Sequence, residues 1–426
     1  MTELITSSKY RRGTTYSVEF PTLPSLSFLP RRVELIQEPY CHDVLIMEFG
    51  QTSPKWFELV KTGVPIKFGW KQGSLSKTWV GYVSFIKKNV EGSRSQIMEV
   101  HCIGSTFSLK ESATKVFLNK SIPEIVKEIV TDYGFKFVGE DNNVKFEQLA
   151  IAGHSYWEWI QEHAKSIGYG VLVENMTFYF RPLDKLIDQN ITNVPVLSMN
   201  TKQWGIGNEA LDRTLDSFKV INGEHVETRG NMRTNKQLGG VDPLTNEVII
   251  SISSPDAVGE NLRAISNDVL FNEVDSSKVS NSQETAEVLS EGSAHLGRFN
   301  MPARVTCQGD PRIRPFAPVL IQGTGNLTDG FWIAKEVKHM FAMIGDYQIE
   351  MKAAIDGIGY DTKFSRKDGI QSPAGVVNLT EAISGNNQIS SNEKVVLNGL
   401  KPTMLEANQG YKRTPVKWSN IFVGDR

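Results

Sequence analysis

The side chains able to do chemistry in this 426-residue chain are seven histidines, three cysteines and 48 acidic residues. Their spacing does not build a reactive site. His42, His101, His154, His163, His225, His295 and His339 contain no His-Glu-x-x-His pair, and His154 and His163 stand nine apart without the four ligands that zinc requires. Cys41, Cys102 and Cys307 are too few and too scattered for a metal cluster or a disulfide framework. They read as reduced, strand-borne small hydrophobes, which fits folding in a reducing cytosol. Glu158 and Glu162, one helical turn apart, could suggest the carboxylate pair of a glycosidase, but Glu158 sits where a helix cap needs it and Glu162 reads as a solvated-face residue. The glycine-rich stretch Gly323-Thr-Gly325-Asn-Leu-Thr-Asp-Gly330 lacks the spacing and the Lys-Ser/Thr of a phosphate loop, and is read as a turn needing positive φ. No Gly-x-Ser-x-Gly elbow occurs, and His101 and Cys102, adjacent on a strand, face opposite ways. The expectation is no catalytic residue, no metal and no cofactor.

Aromatic residues point elsewhere. Trp157 and Trp159 are two apart on an expected helix and cannot share a face. One should be core and the other should stand at a domain or subunit interface, an exposed aromatic that hints at assembly more than at a ligand. These two are the candidate interface residues.

The elements that would position them divide the chain into four parts. Residues 1–107 alternate as short antiparallel strands and are read as a first β-barrel domain. Residues 108–193 are read as an α+β insert. One of its helices opens at Ser121-Ile-Pro-Glu124 and stops at Gly134, and a second opens at Ser155-Tyr-Trp-Glu158 and stops at Gly168. A hairpin about Glu174-Asn175 follows. Residues 194–360 return to β as a second barrel domain with a helix near 282–297, while 252–280 looks polar and loop-rich. Residues 361–426 show little periodicity and are read as an extended C-terminal arm, or equally as a disordered terminus.

Composition excludes several classes. Forty-six basic against 48 acidic residues, net −2, with no polybasic block, argues against a dedicated nucleic-acid binder. No apolar run approaches the length of a membrane span, and the start of the chain lacks a secretion signal. The positive signal is a faint duplication. Gly63-Val-Pro-Ile-Lys-Phe-Gly69, Gly81-Tyr-Val-Ser-Phe-Ile-Lys87 and Gln96-Ile-Met-Glu-Val-His101 reappear in order as Ala317-Pro-Val-Leu-Ile-Gln-Gly323, Gly330-Phe-Trp-Ile-Ala-Lys335 and Gln348-Ile-Glu-Met-Lys352. A duplicated β module in one subunit suggests a ring to which each chain supplies two similar blocks.

Four segments together carry a family resemblance: the helix and hairpin opening at Ser155-Tyr-Trp-Glu-Trp159; the preceding helix with Tyr133-Gly134; Gly309-Asp-Pro-Arg-Ile-Arg-Pro-Phe-Ala-Pro-Val-Leu-Ile321; and Gly330-Phe-Trp-Ile-Ala-Lys-Glu-Val-Lys-His339. In this order, over roughly residues 15–357, the chain resembles the tail hub proteins of bacteriophages, also called late control protein D or baseplate hub proteins. Type VI secretion spike proteins share that hub region. Phe316-Ala317 departs from the family by standing where a Gly is usual, which leaves the turn type there open. The resemblance implies two tube-like β-barrel domains per chain separated by the α+β insert, assembling as a pseudo-hexameric trimer. It implies a non-enzymatic virion component that joins a sixfold tail tube to a threefold spike or tip. The implied partners are two further copies of the chain, a tail tube protein, a spike or tip protein and a tape measure protein. DNA would pass through the lumen without specific binding, and no membrane is involved. Alternative readings are the hub of a related contractile injection system and, from another class, a cell-wall hydrolase or sugar-binding β module.

Overall fold

Period-two alternation becomes strand through the first hundred residues. In Val44–Gly50 the residues Leu45, Met47 and Phe49 point into a core while their neighbours stay half-buried. The computed structural model describes residues 14–355 apart from 24–28, 51–57, 92–94, 113, 189–193, 200–211, 222–233, 244, 254–270, 298, 300, 325–328 and 343–346. The expected C-terminal arm, 361–426, lies outside the described residues.

Six strands come first: β1 (Thr14–Glu19), β2 (Arg32–Gln37), β3 (Val44–Gly50), β4 (Pro65–Gln72), β5 (Leu75–Glu91) and β6 (Ser95–Gly104). They lie side by side in the order β1-β4-β5-β6-β3-β2. The middle of the chain holds β7 (Lys115–Lys120), α1 (Ile122–Asp132), β8 (Lys136–Gly139), β9 (Phe146–Ile151), α2 (Tyr156–Ser166), β10 (Tyr169–Glu174), β11 (Thr177–Pro182) and α3 (Leu183–Asp188). Both long helices begin on a full capping box, Ser121 with Glu124 and Ser155 with Glu158, which satisfies two otherwise orphaned amide groups at each start. The β10–β11 hairpin turns on Asn175 and Met176, both at positive φ, as a two-residue hairpin loop requires.

The chain then returns to β: β12 (Val196–Ser198), β13 (Asp212–Val220), β14 (Thr234–Val241), β15 (Val248–Ser253), β16 (Phe271–Ser280), α4 (Gln283–Gly297), β17 (Met301–Gln308), β18 (Pro318–Gln322), β19 (Gly330–Ala342) and β20 (Tyr347–Ile355). β12, β13, β17, β20, β19 and β18 pair in that order, and β18 returns to β12, so the six close into a barrel. Matching β12 to β1, β13 to β2, β17 to β3 and β18–β20 to β4–β6 reproduces the order of the first block. The duplication therefore extends beyond the three strands whose sequences repeat to all six. The middle strand of each repeated meander carries a bulge, between Val83 and Phe85 and between Ala334 and Glu336.

The blocks also differ. β12 runs parallel to both its neighbours and closes the ring, whereas β1 is antiparallel to β4. No β1–β2 pairing closes the first block among the described residues; β2 instead pairs antiparallel with β19, making one continuous sheet of both blocks. Their buried faces share a core running from Tyr16 and Phe68 to Trp332 and Phe341.

Two expectations change. The stretch 252–280 is not all loop: Phe271–Ser280 is a strand parallel to β14. Its sequence has no clean alternation, so only its partner reveals it. Strands β14–β16 and α4 also stay out of the barrel ring. They form a separate three-stranded sheet whose Leu238, Ile249, Ala286 and Leu289 join the core of α1 and α2. No helix among the described residues is long and apolar enough to cross a membrane.

Candidate functional site

The densest set of chemically capable side chains lies where the first sheet, the α+β insert and the barrel meet. Glu174, at the end of β10, accepts a hydrogen bond from Lys77 Nζ of the β4–β5 hairpin at 3.0 Å and pairs with Arg314 of the loop leading into β18. One carboxylate thus holds all three units. Burial raises the pKa of Glu174, but Arg314 and Lys77 outweigh it and keep the group below the usual carboxylate range. A second cluster ties the barrel to β4. Arg213 Nε lies 2.9 Å from Asp310, Arg312 Nε donates to Asp310 at 2.9 Å, and Arg213 donates to Gln72 Oε1 at 3.3 Å. Asp310 is fully buried, so its pairing with two guanidinium groups is what makes its charge tolerable there.

Three further titratable groups have displaced pKa values. Asp43 is raised to about 7 by burial, only partly offset by bonds from Gln37 Nε2 at 2.9 Å and from Trp79. His42 is lowered to about 4, first by burial and then by Lys110; its ring stacks on Trp157 at 4.9 Å and its Nδ1 meets Thr106 Oγ1 at 2.8 Å. His339 is lowered to about 3 by burial, with Nδ1 2.9 Å from the Tyr347 hydroxyl and its ring against Trp70.

A protonated Asp43 near an ionised Glu174 is the pattern of an acid–base pair. Space decides against that use. The cavity reached by Asp43 is only about 30 Å³, the room of a water molecule and not of a sugar. The larger cavity nearby, about 310 Å³, is lined by Lys77, Glu174 and Arg314, which are already paired to one another. The arrangement holds units together.

The residues singled out from sequence fall as follows. Trp157 and Trp159 are both buried, at 4% and 2% exposure, so the expectation that one stands exposed is corrected. Their different faces are both covered: Trp157 meets His42 of the first block across the seam, and Trp159 stacks on His163 at 4.0 Å within the helix. Glu158 caps α2 and Glu162 is exposed. Cys102 and Cys307 are buried and free with their thiols pushed up by burial, and Cys41 is exposed. Gly323 does adopt positive φ at the end of β18, and Asp329 accepts bonds from its amide and from Thr324. Among the described residues no three His, Cys, Asp or Glu side chains gather as a metal site. Sequence reasoning missed Glu174, Arg213, Asp310 and Asp43. Gly309-Asp-Pro-Arg312 was in view only as part of a segment carrying the family resemblance, and nothing local to Asp43 signals its burial.

No known sequence-family profile matches the chain, and no curated protein is similar to it in sequence. Solved structures are similar in fold. A 43 kDa tail protein of prophage MuSo2 from Shewanella oneidensis superposes with a TM-score of 0.56 at 11% identity, over 81% of this chain and 99% of that one. A tail protein from Neisseria meningitidis superposes with a TM-score of 0.54 at 10% identity, over 82% and 99%. The chain thus shares the fold of two tail proteins along almost their whole length.

Proposed function

We propose that this protein is a structural component of a phage tail, acting as a trimeric hub at its distal end. Each chain supplies two six-stranded blocks, and three chains set six such blocks around a channel. A ring built this way presents a nearly sixfold surface to a tail tube protein and a threefold surface to a spike or tip protein. DNA and a tape measure protein would pass through its lumen without specific binding. The observation that carries this reading is the strand order β1-β4-β5-β6-β3-β2, repeated by β12, β18, β19, β20, β17 and β13. One chain is thereby two tube elements, which is how a threefold assembly can imitate six. The fold shared with two tail proteins supports it. So does the seam of paired charges, which would fix the two blocks at a constant angle.

The test is the mass of the purified protein in solution together with end-on particle averages. Three times the 47.6 kDa chain mass, with a central hole and a sixfold-like outline, is the expected result. A monomer at all concentrations that degrades purified peptidoglycan would overturn it.

A further inference from the structure

Among the described residues, two flat apolar sheet faces remain uncovered. On β15, Ile249, Ser251 and Ser253 turn toward α4, and both serines share a hydrogen bond with Ser290 at 2.8 Å. The other face of β15 presents Val248, Ile250 and Ile252 at 73%, 53% and 53% exposure. Val241 and Val274, also more than half exposed, continue that face onto β14 and β16. Gly239, opposite Ile250, leaves its centre flat. The second face belongs to β7, where Phe117 is buried while Val116 and Leu118 are 51% and 66% exposed, beside Ala150 and Gln148 of β9. No ionisable side chain stands among these positions. Packing runs in series from β7 through α1, α2 and α4 to β14 and β15, so both faces belong to elements of one shared core.

We infer that these two faces bind each other between copies of this chain, the β14–β16 face of one protomer against the β7–β9 face of the next. The inference rests on the trimeric reading above and gives it a surface. A closed ring of identical chains needs two different, mutually complementary surfaces on each chain, whereas one self-complementary face would stop at two copies. The five exposed side chains of the larger face amount to on the order of 500 Å² of apolar surface, a size that is often functional on a monomer. A standard interface uses about 800 Å² per partner, so these faces form the apolar centre of a contact that also draws on its rim. The outer edge of β15 pairs with no strand among the described residues, and a neighbouring copy would also shield that edge from aggregation.

Sedimentation of the full chain tests this with Ile250→Glu, Leu118→Glu and the double change Ile250→Glu/Leu118→Lys. Each single change should weaken association at least tenfold while leaving the melting temperature of the dissociated chain unaltered, and the double change should restore the trimer. A wild-type trimer whose mass and affinity neither single change alters overturns the inference and spares the trimeric reading. A wild type that stays monomeric at all concentrations overturns the inference, and one that also degrades purified peptidoglycan overturns the trimeric reading with it. Loss with Ile250→Glu alone, or unchanged mass with residues 356–426 newly open to protease, would mean the face covers something other than β7–β9 and also overturns it. As a second readout, Leu118→Cys with Ile250→Cys in a Cys41→Ser background should cross-link copies under mild oxidation, and neither cysteine alone should do so.

Discussion

Single residues in this molecule are constrained most where they are buried against their chemistry. Phe316 holds φ +64°, the left-handed backbone that ordinarily selects glycine, at the position where the resemblance expects a Gly. Its ring is buried against the edge of Tyr40, so core packing offsets a backbone cost of roughly 1 kcal/mol. Asp43 makes the clearest prediction. Its carboxyl is raised from 3.8 to about 7 in the fold, so the favourable proton binding is complete below about pH 4 and is lost as pH rises through about 7. Asp43→Asn keeps an acceptor for Gln37 and removes the ionisation. It should therefore stabilise the protein by up to about 4 kcal/mol at pH 8 and by almost nothing at pH 4, read from urea unfolding at the two pH values. His42 and His339, held neutral by burial, act in the opposite direction and lower stability as pH falls below their ordinary value of 6.5. Both are present in wild type and variant, so the difference isolates Asp43.

Among elements, the contact of α2 with α4 decides how the β14–β16 sheet joins the insert. It is made by glycine. A Cβ at Gly292 would lie 2.4 Å from Ser166 O, 2.5 Å from Ile167 C and 2.6 Å from Gly168 N. These are backbone atoms and cannot rotate aside. Alanine in a helix interior is favoured over glycine by about 1 kcal/mol, but overpacking against rigid backbone costs about 1–3 kcal/mol or more. Gly292→Ala should therefore be destabilising by about 2 kcal/mol, whereas Glu291→Ala, one position away and exposed, should fall within about 0.5 kcal/mol of wild type. Thermal and urea midpoints of both variants check this. A stabilising Gly292→Ala would mean that the two helices are not in this contact.

At the scale of the whole molecule, the β2–β19 ladder and the Glu174 clamp make the blocks one body, and the proposed ring builds on that rigidity. We propose that residues 361–426 serve as an arm that reaches a tail partner. Deleting residues 365–426 should leave the trimer intact and weaken the attachment of a tail partner, measured as trimer mass and as co-sedimentation with tail particles. Loss of the trimer on deletion would show that the arm belongs to the ring itself.

Local chemistry was enough to read the helix starts at Ser121 and Ser155, the turn near Asn175 and the repeated strand triplets. Each depends on residues within a few positions of one another. Other features depend on pairings between distant segments: the closing of the barrel by β12, the passage of β2 onto β19, the departure of β14–β16 from the ring, and the burial of both Trp157 and Trp159. A helix's own periodicity says which residues share a face, and a strand's alternation says which face is apolar. Neither says what will cover that face. The charges at Asp43, Glu174, Arg213 and Asp310 acquired their partners in the same way, because desolvation and ion pairing exist only once the three units meet.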